Sequence, residues 1–117
     1  MAKIHTCDDW KIKFAGYIQN NLFIKQRIPL EICLTSNVLS GAVQSVHNHP
    51  FKELYEAKAF VTLNTDDPSL CRTTLTSEYV LAAETFQLDL ADIRKIVQNG
   101  FSASFIKSCW PERGIVA

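Results

Sequence analysis

Between residues 9 and 26 the apolar side chains Trp10, Phe14, Tyr17 and Ile18 recur at helical spacing, with Asp8 or Asp9 placed to cap the start. The run Ile28-Pro29-Leu30-Glu31-Ile32-Cys33-Leu34 is short and rich in β-formers, and Pro29 stands at its beginning, so it predicts a strand. Thr35-Ser36-Asn37 predicts the end of that strand and a polar loop through Ser40-Gly41. At His49-Pro50 the proline suits a first helical position and His49 a cap, and Phe51, Leu54 and Tyr55 mark a short amphipathic helix. Phe60-Val61-Thr62-Leu63 predicts a second, buried strand that runs directly into the turn formers Asn64-Thr65-Asp66-Asp67-Pro68. Tyr79, Ala82, Ala83 and Phe86 repeat on one helical face, and Asp89 is placed to cap another helix carrying Leu90, Ile93, Ile96 and Val97. Asn99-Gly100 predicts a break or an end there; Phe101, Phe105 and Ile106 offer a helical continuation, and the tail from Cys109 follows no period.

Helix, strand, helix, strand, helix, helix is the order of crossover units, which predicts an α/β fold with a parallel sheet and helical cover. Two good strands, or three at most, leave both sheet edges open, so a chain of 117 residues with this pattern predicts only part of a sheet. No linker, repeat or low-complexity tract divides it.

Charge changes the picture little. Twelve Lys and Arg balance twelve Asp and Glu, with no basic cluster, so nucleic acid and anionic membranes are not expected partners. No apolar stretch approaches membrane-spanning length. Cys7, Cys33, Cys71 and Cys109 are widely spaced and form no C-x-x-C pair, which fits a reducing, cytoplasmic location better than a disulfide framework.

The chemistry-bearing feature is Asp66-Asp67 at the carboxyl end of a strand, where ligands of parallel α/β proteins gather. Two adjacent carboxylates repel in a dry cleft unless a cation or a retained proton relieves them. The plainer reading is that the pair caps the helix after Pro68 or faces water.

The run Val61-Thr62-Leu63-Asn64-Thr65-Asp66-Asp67-Pro68, with Thr73-Thr74-Leu75 and Glu78-Tyr79, resembles the last strand, metal loop and following helix of the adenosine deaminase family. Residues 28–38 and His49-Pro50-Phe51 are similar to the preceding barrel unit, and residues 90–105 to the closing helices, so the resemblance covers residues 28–106. It implies that the whole chain, 1–117, is the C-terminal part of a zinc-containing (β/α) barrel, a fold of about 250 residues. The implied reaction is hydrolytic deamination of a purine nucleoside or nucleotide, in which water activated by zinc attacks the amino-bearing carbon. By the same resemblance Asp66 is a zinc ligand and Asp67 binds the imidazole-ring nitrogen of the purine. That nitrogen accepts, so Asp67 would donate and carry a proton.

The family's His-x-His pair, its third histidine ligand, its proton-shuttling glutamate and its catalytic histidine all precede the position of Ile28, and none has a counterpart here. His47-x-His49 lies before a helix late in the chain and is expected to cap or face solvent; His5 sits beyond the place of the catalytic histidine. Lys58 stands where the family has a helix-ending glycine, a change of little cost if the backbone avoids the left-handed region. Thr35, Ser36 and Asn37 border the pocket or merely end a strand, and Arg72 meets a substrate phosphate or solvent. Glu31 and Cys33 are expected to alternate with packing residues.

Three functions compete at this point. The leading one is a fragment of a purine deaminase, inactive alone and needing a complementing chain. The second is a non-catalytic interaction module of the same origin that self-associates through its strand edges. The third is a receiver-like domain whose acidic pair holds a divalent cation.

Overall fold

The computed structural model describes residues 22–105. His5, Cys7, Cys109 and most of the helix expected over 9–26 lie outside that range; its last turn is present as α1, Leu22–Lys25. The chain continues through β1 (Leu30–Ile32), α2 (Leu34–Leu39), a 3-10 turn (Val46–Asn48), α3 (Phe51–Glu56), β2 (Val61–Leu63), α4 (Pro68–Cys71), α5 (Leu75–Phe86) and α6 (Leu90–Ala103).

β1 and β2 pair in parallel, with Leu30 opposite Val61 and Ile32 opposite Leu63. The pairing is extended at both ends, by Leu30 N donating to Phe60 O (2.8 Å) and Asn64 N donating to Ile32 O (2.9 Å). The two strands differ in depth. Every residue of β2 is buried, whereas β1 exposes Glu31, so β2 is the inner strand, covered by helices. Ile32, Leu34, Phe51, Leu54, Val61, Leu63, Ala82, Phe86 and Ile96 form one apolar cluster beneath the sheet. Two parallel strands with covering helices are what the element order predicts, and they form part of the (β/α) barrel that the resemblance implies.

α5 and α6 form where the pattern places them because each carries its own start signal. Thr74 and Ser77 close a reciprocal capping box at the head of α5, and Asp89 with Asp92 closes another at the head of α6. Such a cap is worth about 1 kcal/mol. α6 does not stop at Asn99-Gly100. It runs to Ala103, because the Asn99 amide turns inward and donates to Val61 O at 2.9 Å, a use of the side chain in packing rather than in a turn.

Two other expectations need correction. Thr35-Ser36-Asn37 is a helical turn, α2, rather than a loop. Lys58 has φ +68°, so the backbone does enter the left-handed region and the lysine carries a cost that glycine would not. Among the described residues five non-glycine positions share this conformation: Arg27, Lys58, Arg72 and Gln87 follow helix ends, while Asp66 lies in the loop after β2.

Candidate functional site at the carboxyl ends of the strands

Parallel pairing brings the ends of β1 and β2 side by side, so the segments that leave them, 33–37 and 64–67, meet at one edge. Asp66 is exposed there with φ +63°. Aspartate tolerates this conformation better than most residues, and strain of this kind persists only where neighbours hold it. The holding group is Ser36, whose Oγ donates to Asp66 Oδ2 at 2.7 Å, the short length of a bond to a carboxylate. Asp66 is thereby tied through Oδ2 to α2, the segment that leaves β1.

Asp67 does a different job. It is the N-cap of α4, its Oδ1 accepting from Leu70 N at 3.0 Å, with Pro68 at the first helical position. The two adjacent carboxylates therefore diverge, one toward α2 and one onto a helix start, which lessens the repulsion that their spacing in sequence implies.

Behind Asp66 the three consecutive residues of α2 are each tied to a different element. Thr35 N donates to Glu78 Oε2 on α5 (3.3 Å), Ser36 reaches Asp66, and Asn37 Oδ1 meets His49 Nε2 (2.9 Å). Glu78 is 1% exposed, and its Oε1 accepts from Thr73 Oγ1 at 2.7 Å. His49 is 8% exposed, and its Nδ1 accepts from Phe51 N at 3.1 Å. An accepting Nδ1 requires the proton on Nε2, so His49 donates to Asn37. Pro50 rather than His49 is the N-cap residue of α3, one position from expectation, while the His49 ring accepts from the helix's first amide; His47 is exposed.

Burial lowers the pKa of His49 from 6.5 to about 4. The unfolded chain therefore takes up this proton first as the solution is acidified. Stability conferred by neutral His49 is fully present above pH 6.5, falls as pH drops toward 4, and changes no further below that. His49→Gln is expected to flatten this part of the curve of urea midpoint against pH, and an unaltered slope between pH 6.5 and 4 would refute the assignment.

Cys33 leads into α2 beside the acidic groups. Burial first, then the charges of Asp66, Glu31, Glu78 and Cys71, raise its thiol from 9.0 to about 11. Arg72 is exposed and ends α4 in the left-handed region, on the surface. Sequence reasoning singled out Asp66 and Asp67 but gave no role to Glu78, whose place in the first turn of α5 reads as a solvated acid. Only the fold shows it reaching across 43 residues to Thr35.

An exposed carboxylate oxygen on a fixed loop fits one position in the coordination of zinc, which accepts Asp oxygen alongside His nitrogen. It does not make a site by itself: among the described residues no three His, Cys, Asp or Glu side chains gather as a metal cluster.

Comparison with known proteins bears on family and fold. The family model described as Adenosine deaminase matches residues 15–112. Aminodeoxyfutalosine deaminase of Streptomyces coelicolor is 43% identical over 82 residues, which is 70% of this chain and 21% of that protein. Adenosine deaminase of Streptococcus mutans is 42% identical over 83 residues, 71% of this chain and 24% of that protein. Among solved structures, the apo N6-methyl-AMP deaminase of Arabidopsis thaliana superposes with a TM-score of 0.64 at 38% identity, covering 68% of this chain and 23% of that one. Similar Arabidopsis structures are complexed with IMP and with GMP. The chain spans about a fifth to a quarter of the length of these relatives. Family match, strand-end aspartates and partial barrel agree, and the chain belongs to the adenosine deaminase family.

Proposed function

We propose that this chain supplies the carboxylate side of a zinc-dependent purine deaminase site, the nitrogen ligands and proton-transfer groups coming from the rest of a barrel. The observation that carries the reading is Asp66 at the mouth of the strands, with one oxygen held by Ser36. In this reading 1–117 is the C-terminal part of one barrel domain, Asp66 is a zinc ligand, and Asp67 binds the substrate. Zinc held there would acidify water for attack on the amino-bearing purine carbon.

The chain's own residues do the positioning. Asp67 keeps Oδ1 on Leu70 N, which restrains the side chain and leaves Oδ2 for the substrate. Ser36 holds Asp66 so that the two carboxylates serve separate partners. The substrate class is a purine nucleoside or nucleotide, and the structures of relatives with IMP and GMP favour a nucleotide. Free, widely spaced cysteines accord with the reducing cytoplasm, and among the described residues no helix is long and apolar enough to cross a membrane.

The test is complementation. The chain is co-expressed with the part of the Arabidopsis N6-methyl-AMP deaminase that precedes its matched segment, and zinc content and loss of the purine amino group are measured. About one zinc per assembled barrel, together with ammonia release, is expected from the pair and neither from the chain alone. An assembled barrel that binds zinc through other groups, so that Asp66→Ala changes nothing, would defeat the reading.

A further inference from the structure

Glu78 is the least explained charge in the fold. It is 1% exposed, and a carboxylate taken out of water costs several kcal/mol unless its oxygens are matched by donors. Both are: Oε1 accepts from Thr73 Oγ1 and Oε2 from Thr35 N. The second bond lies at the head of α2, where Cys33 makes no side-chain cap of its own. Glu78 thus caps, from another helix, the turn that carries Ser36. At the other side of Ser36, His49 holds Asn37 through Nε2 and is itself fixed by Phe51 N. The serine that grips Asp66 is bracketed by two buried polar side chains.

We propose that Glu78 is a positioning residue: by holding the Thr35 amide and the Thr73 hydroxyl, with His49 holding Asn37, it fixes Ser36 where it orients the Asp66 carboxylate. The consequence for zinc rests on the functional reading above; the coupling from Glu78 to Asp66 does not.

The chemistry predicts which substitutions are tolerated. Glutamine at 78 keeps one acceptor, which suffices for the Thr35 amide, and its NH2 group faces a Thr73 hydroxyl that is free to rotate and accept. Leucine fills similar space, leaves the Thr35 amide without its partner and frees the turn. Glu78→Gln should therefore behave as the parent and Glu78→Leu should not.

The experiment measures the carboxyl-carbon NMR resonance of Asp66 in the full chain at neutral pH, with Ser36→Ala marking the position of an Asp66 that has lost its serine. Glu78→Leu is expected to move the resonance in the same direction by the larger part of that displacement. The Glu78→Leu/Ser36→Ala double variant is expected to move it no further, since coupled residues are not additive. Glu78→Gln should restore the parent position. An Asp66 resonance unmoved by Glu78→Leu, or displacements that add, would overturn the proposal, as would a glutamine variant as displaced as the leucine one. Should Glu78→Leu fail to fold, Thr73→Val, which removes one of the two donors and keeps the shape, takes its place: a partial displacement in the Ser36→Ala direction supports the proposal and none overturns it. In the complemented barrel, Glu78→Leu is expected to release zinc to a chelating dye about tenfold faster, the scale of an outer-shell loss, and Glu78→Gln is not. A parent barrel that takes up no zinc would sink the functional reading alone, because the Asp66 resonance still decides the coupling.

Discussion

Phe51→Ala is expected to abolish the cooperative unfolding transition of this chain. Phe51 is fully buried at the head of α3, its ring 5.2 Å from Phe86 and 6.3 Å from Tyr55, against which it lies nearly parallel. It joins the crossover helix to α5 and so holds together the two halves of the apolar cluster. Truncating a buried phenylalanine costs about 3–5 kcal/mol, and domains as a class have only about 5–15 to lose. A fold with two short strands has little reserve against such a loss. Near-UV circular dichroism against urea measures it: the alanine variant should show no native baseline, while Phe51→Leu, which leaves most of the volume filled, should keep one. A full transition in the alanine variant would mean that the cluster is not the source of cohesion.

The second large effect is chemical rather than structural. Asp66→Asn is expected to lower zinc affinity in the complemented barrel by more than about 100-fold, the upper end of what an outer-shell partner costs, and to remove deamination with it. The same substitution should leave the thermal midpoint of the chain unchanged or slightly raised. Asparagine still accepts from Ser36 Oγ and is at ease at the positive φ that Asp66 adopts. Retained zinc in this variant would remove Asp66 from the ligand set; a collapse in midpoint would assign it a structural role instead. The contrast with Phe51 separates the two kinds of dependence: one residue holds the fold together and the other serves it.

Much of this arrangement was legible in the residues. The two strands, the strand-end location of Asp66 and Asp67, the apolar face of α5 and the capped start of α6 follow from local patterns that the tertiary structure reinforces. What escaped was set by contacts distant in sequence. α2 reads as a loop because Thr35-Ser36-Asn37 lacks helix formers, and the turn is held by Glu78, His49 and Asp66. Asn99-Gly100 reads as a terminator, yet α6 continues because the asparagine amide finds the Val61 carbonyl. Lys58 in place of glycine costs little only outside the left-handed region, and the chain enters that region there. For α2 and α6 propensity was a weak prior that long-range partners outweighed.

The thiol beside the acidic cluster has a consequence for handling and survival. With its pKa raised to about 11, first by burial, Cys33 keeps its proton at neutrality. Peroxide and alkylating agents react through the ionised sulfur, so they should pass this residue by. Burial first, and then the same carboxylates that would attract a cation, thus shelter the neighbouring sulfur from oxidation.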